Sequence, residues 1–215
     1  LLFTLQLFGA FVLTIHFKRY FEEWSEALLH GSFLAISATT NGGFDILGLS
    51  ANGFQHDYFV QFVTMVLLVL GAIGFPVLIE VKTFLLKKDP IFRFSLFTKL
   101  TTVTYAVLLF IGGLVIWLIE YFHSFRGMKW HEALAAAFYH SGSTRSAGLS
   151  TVDITAFHDA THLFMSMLMF IGASPSSVGG GIRTTTLAIV FLFLITFAKG
   201  ESDIKVFHRE IHLID

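Results

Sequence analysis

The sequence predicts an all-α membrane protein in which one unit occurs twice: an outer helix, a short re-entrant helix ending in a glycine-bearing loop, and an inner helix. Composition gives the first observation, because 54% of the 215 residues are hydrophobic and only 13% are charged, which is unusual for a soluble domain. Two charge-free runs, 58–79 and 100–119, give the second. Each reaches the roughly 20 residues that a helix needs to cross about 30 Å of hydrocarbon.

An internal repeat is the third observation, and it defines the organisation of the chain. Trp24 begins the segment WSEALLHGSFLAISATTNGGFD, and Trp130 begins its second copy, WHEALAAAFYHSGSTRSAGLS. The openings of the two copies align at an offset of 106 residues and their ends at 105, which pairs Gly43 with Gly148. The sequence therefore predicts two units of the same kind, with one residue lost inside the second short helix.

The alignment divides the chain into four segments. We expect a first repeat at 1–86, whose outer helix is cut short by the start of the chain, and a second repeat at 99–200. A linker at 87–98 and a tail at 201–215 are predicted to lie in the cytoplasm. The stretch 80–99 carries five Lys or Arg residues against two acids, which the positive-inside rule associates with cytoplasmic segments.

The glycine-bearing loops have the composition of a cation filter. Non-helical backbone is tolerated at membrane depth only where it is buried in protein or lines water. Glycine allows consecutive carbonyl oxygens to turn toward one dehydrated ion. The predicted ion-binding residues are Thr39, Thr40, Asn41, Gly42 and Gly43 in the first loop and Thr144, Arg145, Ser146, Ala147 and Gly148 in the second.

Four of these residues are expected to contact the ion directly. They are Gly43 and Gly148 through their carbonyls, and Thr39 and Thr144, whose hydroxyls offer a further ligand at the inner end of each loop. Arg145 is expected to point away from the ion, because a guanidinium beside a cation filter repels its substrate. Such filters are rings of four loops, so two further copies must come from missing sequence or from other chains.

The second inner helix is predicted to be broken. Residues 158–198 would form a helix of about 61 Å, twice the hydrocarbon thickness. Pro175 and the glycines 179–181 oppose helix continuation. We expect a gating loop at 172–183, because a small polar segment at mid-membrane can occlude a pore and move aside. A passive kink beside a neighbouring helix is the alternative.

The predicted gate residues are Ala173, Ser174, Pro175, Ser176, Ser177, Val178, Gly179, Gly180, Gly181 and Arg183. Three roles stay open for Arg183: an electrostatic barrier to cations, an anchor for the closed loop, or a side chain that snorkels to the cytoplasmic surface. In the first repeat only Gly74 and Pro76 interrupt the inner helix, and a kink without unwinding is expected there.

Three strings, SATTNGGFD, HSGSTRSAGLSTVD and GASPSSVGGGIRTTT, closely resemble the bacterial KtrB proteins, with TrkH and the plant high-affinity potassium transporters as wider relatives. The resemblance implies a potassium-channel-like fold of four repeats around one pore, of which this chain resembles the middle two. It also implies potassium uptake across the bacterial plasma membrane by a multi-pass protein, an intramembrane gating loop in the third repeat, and K⁺ as the transported ion, with Na⁺ as an activator. The missing first and fourth repeats leave the pore incomplete here.

The same resemblance implies the partners. They are a second copy of the full-length subunit in a homodimer, a cytoplasmic ring of nucleotide-binding RCK subunits of the KtrA type, and membrane lipid. Nucleic acid is not expected as a partner, because the net charge is −1 and the cations are scattered. No grouping of Ser, His and acidic residues predicts catalysis, so neither an enzyme nor an organic cofactor is expected.

Two other functions stay open from the residues alone. A coupled secondary cation transporter also uses discontinuous helices at the midplane, but its repeats are commonly inverted, whereas re-entrant loops repeated in one orientation favour a pore. A non-conducting assembly subunit would not need the filter glycines.

Overall fold

The computed structural model describes residues 1–46, 57–86, 92–200, 204–206 and 209–211. Within these ranges the α-helices are α1 (Leu2–Phe17), α2 (Trp24–Thr40), α3 (Tyr58–Ala72), α4 (Phe75–Leu86), α5 (Leu96–Glu120), α6 (Trp130–Ser143), α7 (Asp159–Phe170) and α8 (Thr184–Ala198). A short 3₁₀ helix, Ile154–Ala156, precedes α7. Two three-residue strands in the tail, β1 (Ile204–Val206) and β2 (Arg209–Ile211), pair antiparallel. Apart from these two short strands, the regular secondary structure of the described residues is helical, which confirms the predicted all-α fold class.

Each short helix packs closely on the helix before it, and a glycine makes the approach possible. A Cβ at Gly31 of α2 would lie 2.6 Å from the backbone nitrogen of Thr14 in α1. A Cβ at Gly112 of α5 would lie 2.3 Å from Oγ of Ser141 in α6. Both distances are shorter than a real Cβ contact, so the helix pairs α1–α2 and α5–α6 need these glycines to pack as they do.

The apolar core has two main parts, one around each short helix, α2 and α6. The first contains Leu13, Leu34 and Leu68 from α1, α2 and α3, and it extends to Leu149 in the loop after α6. The second packs Ile116 of α5 against the other helices of its repeat. Because the first core includes the loop of the second repeat, the two repeats are held together near their loops.

A carboxylate, partly buried in the first repeat and fully buried in the second, ties the outer helix to the inner helix at the same end of each repeat. In the first, Asp57 beside α3 accepts a hydrogen bond from the Tyr20 hydroxyl at 2.6 Å and pairs with His16 of α1 at 2.5 Å. In the second, Glu120 at the end of α5 is fully buried and accepts from the Thr161 hydroxyl of α7 at 2.5 Å. The inner and outer helices are thereby fixed together where each inner helix begins.

The prediction of one spanning helix over 58–79 is wrong. Helix α3 ends at Ala72, and α4 leaves it at an angle of 108°, far more than the kink expected from the sequence. Gly74 adopts φ +99°, a conformation that L-residues with side chains rarely adopt, and this allows the sharp turn. Among the described helices, α5 alone is long and apolar enough to span a membrane, and the bent pair α3–α4 is the second candidate.

The second inner helix is interrupted as well. Helix α7 ends at Phe170 and α8 begins at Thr184, so residues 171–183 lie between two helices and outside both. The interval contains the segment 172–183, where the sequence favours a break. Both inner helices are therefore discontinuous in this protein, the first over two residues and the second over thirteen.

Candidate functional site

The two glycine-bearing loops repeat the same unusual backbone. In the first loop Asn41 has φ 50° and Gly43 has φ 69°, and in the second Ser146 has φ 78° and Gly148 has φ 69°. These positions correspond pairwise at an offset of 105 residues. Two left-handed residues separated by one residue turn the peptide planes between them away from the direction they have in a helix. Asn41 and Ser146 are not glycine, and a positive φ is uncommon for residues with a side chain.

The two loops are in direct backbone contact. A Cβ added to Gly43 would lie 2.7 Å from the carbonyl oxygen of Ala147 and 3.2 Å from Cα of Gly148. A Cβ added to Gly148 would lie 3.3 Å from Cα of Gly43. Both positions thus require glycine twice over, for the positive φ and for the approach of the neighbouring loop.

Exposed and buried residues alternate along both predicted filter loops. Thr40 and Gly42 are exposed in the first loop, and Ser146 and Gly148 in the second, whereas Gly43 is half-buried. The buried members are Thr39, Asn41, Thr144, Arg145 and Ala147. Only alternate residues of each loop therefore face out of this chain.

The threonines at the start of each loop are engaged within their own helices. Thr39 donates its hydroxyl hydrogen to the carbonyl of Ala35 at 2.7 Å, and Thr144 donates to that of Ser141 at 2.8 Å. Both side chains are buried. The hydroxyls predicted as ligands are turned inward, which leaves the backbone carbonyls of the loops as the better candidates for ion contact.

Arg145 extends into the protein and away from the exposed part of its loop. It is fully buried, its guanidinium carbon lies 4.3 Å from the centroid of the Tyr105 ring, and Nη1 donates to the Tyr105 carbonyl at 3.3 Å. Stacking on an aromatic face is favourable for a guanidinium. Arg145 therefore braces the second loop against α5 from behind.

Two serines that the sequence analysis did not single out hold the loops from their helices. Ser37 donates to the carbonyl of Phe44 at 2.7 Å, and Ser143 donates to the carbonyl of Leu149. Phe44 and Leu149 directly follow the two loop glycines, Gly43 and Gly148. A signal was available, because Ser37 and Ser143 align at the opening offset of the repeat, 106 residues.

Residues 171–183 form an ordered, folded loop. The N–H of Ala173 donates to the Gly180 carbonyl at 2.9 Å, which closes the loop on itself. The fold requires Gly172, because a Cβ there would lie 1.7 Å from the Gly180 carbonyl oxygen. Ser177 donates its hydroxyl hydrogen to the Ser174 carbonyl at 2.6 Å. These contacts tie the predicted gate residues to one another.

The loop between α7 and α8 lies directly against the second glycine-bearing loop. The N–H of Gly180 donates to Oγ of Ser146 at 3.0 Å. A Cβ at Gly179 would lie 3.2 Å from Cβ of Ser146. The structure thus brings one predicted gate segment into contact with one predicted filter loop.

Arg183 binds the loop that precedes it. Its Nη1 donates to the carbonyl of Gly179 at 2.6 Å and lies 3.4 Å from that of Ser174. The next residue, Thr184, donates its hydroxyl hydrogen to Oγ of Ser174 at 3.1 Å. These contacts hold both ends of the loop near the start of α8, the geometry of an anchor.

Two short helices that end in contacting glycine loops, with an interrupted inner helix against one of them, form the arrangement that the sequence predicts for a membrane protein of the pore-loop class. The chain belongs to the TrkH family, described as cation transport proteins, whose family model matches residues 1–213. Over its full length it is 52% identical to the Ktr system potassium uptake protein D of Bacillus subtilis (strain 168), covering 48% of that protein.

Two further comparisons agree with this assignment. The chain is 32% identical over 196 residues to the Ktr system potassium uptake protein B of Vibrio alginolyticus, which covers 88% of the chain and 42% of the relative. It superimposes with a TM-score of 0.70 on the crystal structure of the potassium transporter TrkH from Vibrio parahaemolyticus, at 19% identity, covering 95% of this chain and 43% of that one. The chain therefore spans about half the length of the relatives it matches.

Proposed function

We propose that the full-length protein takes up potassium ions across the bacterial plasma membrane as a multi-pass, pore-forming subunit, and that this chain supplies two quarters of its selectivity filter. The observation that carries the proposal is the pair of loops with the same positive φ values at Gly43 and Gly148, in backbone contact with each other. Loops of one pore must be adjacent and alike, because a dehydrated ion needs carbonyls from all sides. Relatives named potassium uptake proteins B and D support K⁺ as the ion.

The proposed filter depends on backbone carbonyls. The partial negative charge at the carboxyl ends of α2 and α6, which lead into the loops, favours a cation there. Ser37 and Ser143 fix the carbonyl after each glycine, and Arg145 supports the second loop from behind. The ion contacts proposed for Gly43 and Gly148 are thus held by three side chains that do not themselves face the ion.

The proposed gate is the loop 172–183. Its hydrogen bond to Ser146 supports a position immediately beside the filter, and the hydrogen bond between Ala173 and Gly180 within the loop supports a closed arrangement. Among the roles open for Arg183 we propose the anchor, because its guanidinium donates to the Gly179 carbonyl of the loop. A loop of this kind opens the pore when these bonds break and closes it when they form.

The proposed assembly follows from the family resemblance. It consists of a homodimer of the full-length subunit in lipid, with a cytoplasmic RCK ring of the KtrA type bound below it. The segments proposed to face this ring are the basic stretch from Lys82 to Lys99 and the tail after Ala198. The family resemblance also suggests that Na⁺ acts as an activator in addition to K⁺ as cargo.

Substitution of the two glycines tests the filter. Gly43→Ser or Gly148→Ser, made separately in the full-length protein, should lower the permeability ratio of K⁺ to Na⁺ several-fold, because a Cβ strains the left-handed backbone and presses on the neighbouring loop. The ratio is measured from reversal potentials or from competing fluxes into proteoliposomes.

Gly127→Ser provides the matched control. Gly127 has φ +99°, and a Cβ there meets no atom within 4 Å. A serine at this position strains the backbone but does not press on a neighbouring loop. The K⁺ to Na⁺ selectivity of the Gly127→Ser protein should therefore equal that of the wild type. Wild-type selectivity in both filter variants would remove the filter assignment.

Coupled secondary transport is the second candidate, and the two discontinuous inner helices are the observation that favours it. The two proposals differ in driving force. A pore gives a reversal potential that follows the K⁺ gradient alone, whereas a coupled transporter moves K⁺ against its own gradient when the gradient of a second ion is imposed. Measurement of K⁺ accumulation in proteoliposomes under an imposed Na⁺ or H⁺ gradient separates them.

A further inference from the structure

The break in the first inner helix is bridged by the loop of the second. The N–H of Ser174 donates to the carbonyl of Ala72 at 3.0 Å, and the N–H of Phe75 donates to the carbonyl of Ser176 at 2.9 Å. A continuous helix would satisfy these groups itself. The loop has therefore taken the place of the missing helical bonds on both sides of the break, at the end of α3 and at the start of α4.

Gly74 lies at the centre of this contact. Its φ is +99°, and a Cβ there would lie 2.6 Å from the carbonyl oxygen of Pro175 and 3.7 Å from Cβ of Ser174. The closer atom belongs to the backbone, so no side-chain rotation relieves the collision. Glycine at this position is what lets the loop sit on the break.

The repeat alignment makes the contact symmetrical. An offset of 101 residues pairs Gly71 with Gly172, and the same offset pairs Gly74 with Pro175. Corresponding points of the two inner helices are thus both interrupted, and they meet each other. Two unrelated helix defects would have no reason to coincide in sequence and in space.

We propose that the break at residues 73–74 is the receptor for the gate loop, and that Gly74 is the positioning residue that lets segment 174–178 dock in its closed place. This inference rests on the proposed function of the loop as a gate. It adds that the loop is held by the first repeat as well as by Arg183 and Ser146 of its own repeat.

The receptor also gives the gate a mechanical connection toward the cytoplasm. Helix α4 begins at the docked residue Phe75, and its Glu80 accepts a hydrogen bond from the N–H of Ser95, next to the start of α5, at 3.0 Å. A tilt of α4 moves the Phe75 N–H away from the Ser176 carbonyl. The proposed path for opening therefore runs from the segment joining α4 and α5, through α4, to the loop.

Substitution of Gly74 in the full-length protein tests the receptor. Gly74→Ala should raise K⁺ flux into proteoliposomes several-fold, because the new Cβ displaces Pro175 and with it the loop. The ratio of K⁺ to Na⁺ permeability should stay at the wild-type value, since the filter glycines are untouched. Gly127→Ala has the same φ and open space around its Cβ, and its flux should equal that of the wild type.

A second background separates the receptor from the gate. Deletion of residues 174–180 should raise flux by itself, and Gly74→Ala added to the deletion should raise it no further. Raised flux in the deletion with wild-type flux in Gly74→Ala would overturn the receptor and leave the gate standing. Wild-type flux in the deletion would overturn the gate itself, and altered selectivity in Gly74→Ala would show that the variant acts through the filter and not through a receptor.

A variant on the loop side covers the case in which Gly74→Ala does not accumulate in the membrane. Val178→Pro removes the N–H that lies 3.4 Å from the Gly71 carbonyl, and it leaves α3 unchanged. Raised flux in this variant supports the receptor. Wild-type flux would overturn it.

Discussion

At the scale of single residues, hydrogen bonds from the short helices α2 and α6 fix carbonyls of the glycine loops. Ser37 and Ser143 each donate to the carbonyl of the residue after the loop glycine, Phe44 in one repeat and Leu149 in the other. A hydrogen bond of this kind is worth about 0.5–1.5 kcal/mol to stability, and its loss leaves a carbonyl without its partner. A filter depends on small displacements of such carbonyls, so selectivity should respond more than folding does.

Ser37→Ala and Ser143→Ala should each lower the K⁺ to Na⁺ permeability ratio of the full-length protein while the protein still accumulates in the membrane. Ser32→Ala is the matched control, because Ser32 lies on the same helix as Ser37 and donates to its own helix, to the Leu28 carbonyl at 2.6 Å. Reversal potentials in mixed K⁺ and Na⁺ solutions measure the effect. Equal ratios in all three variants would show that the serines serve the helices and not the loops.

At the scale of elements, the carboxylate at the start of α3 ties three pieces of the first repeat together. Asp57 accepts hydrogen bonds from the N–H groups of Phe59 and Val60 at the start of the helix and from the Tyr20 hydroxyl. Its carboxylate also lies 2.5 Å from Nε2 of His16 in α1. Burial by itself would raise the pKa of Asp57, but the hydrogen bonds from Tyr20, His16 and Val60 outweigh it, and the pKa lies below the ordinary value of 3.8.

The sign of the pH effect follows from this shift. A carboxyl whose pKa is lower in the folded protein than in the unfolded chain stabilises the fold above pH 3.8, and that contribution is lost as the pH falls through the folded pKa. Asp57→Asn should cost about 1.5–3 kcal/mol at neutral pH, the usual value of hydrogen bonds to a charged group. The difference from the wild type should start to shrink as the pH falls below 3.8, and it should be lost below the pKa of the folded protein, where Asp57 is neutral in both states.

Thermal unfolding of the purified full-length protein in detergent, followed across this pH range, measures the difference. Glu26→Gln makes the same acid-to-amide change at an exposed position in the first turn of α2, where the helix dipole contributes only about 0.3–1 kcal/mol. A gap between Asp57→Asn and wild type that stays constant with pH would exclude ionisation of Asp57 as its cause.

Some of the helices and helix breaks were predictable from the sequence alone, and others were not. The apolar run 100–119 predicted α5, and the repeat predicted α2 and α6, because the pattern that identifies each helix lies within its own residues. The glycines and Pro175 located the break between α7 and α8 for the same reason. The 108° turn between α3 and α4 was not predictable from Gly74 and Pro76, since the bonds that replace the helix there come from Ser174 and Ser176, about 100 positions away.

The candidate filter was predictable in part on the same grounds. Gly43 and Gly148 were found from the repeat, since a glycine at a fixed place in two copies is a local signal. The inward hydroxyls of Thr39 and Thr144 were not, because a threonine at the end of a helix can bond back to its own carbonyls at little cost. The stacking of Arg145 on Tyr105 was not predictable either, because it depends on how α5 packs behind the loop.

At the scale of the whole molecule, the described chain presents broad apolar faces. Phe3 and Phe8 on α1 are 69% and 68% exposed, and Phe191 and Phe197 on α8 are 63% and 75% exposed. Faces of this size on a membrane protein meet lipid or further helices. The relatives are about twice as long as this chain. We therefore expect the apolar faces to contact both lipid and further helices in the full-length protein.

Exposed cations near the start of α5 give the last prediction, which concerns the proposed cytoplasmic ring. Lys82 on α4 and Arg93 before α5 are both exposed and both fall in the segment that the positive-inside rule assigns to the cytoplasm. Charges at the rim of an interface steer association and add modest affinity. The double variant Lys82→Glu, Arg93→Glu should therefore bind a purified RCK ring about tenfold more weakly at low salt than the wild type, with a smaller difference at high salt.

The control for this variant lies in a part of the chain that is predicted to face the opposite side of the membrane. Lys129, beside the start of α6, is exposed as well, and Lys129→Glu changes the net charge without changing the cytoplasmic face. Its affinity for the ring should equal that of the wild type in a binding assay with detergent-solubilised full-length protein. Equal weakening by Lys129→Glu would mean that overall charge governs the association. Unchanged affinity in the double variant would show that the ring does not dock on the α4–α5 side. It would also argue against the proposed route by which the ring acts through α4 on the loop docked at Gly74.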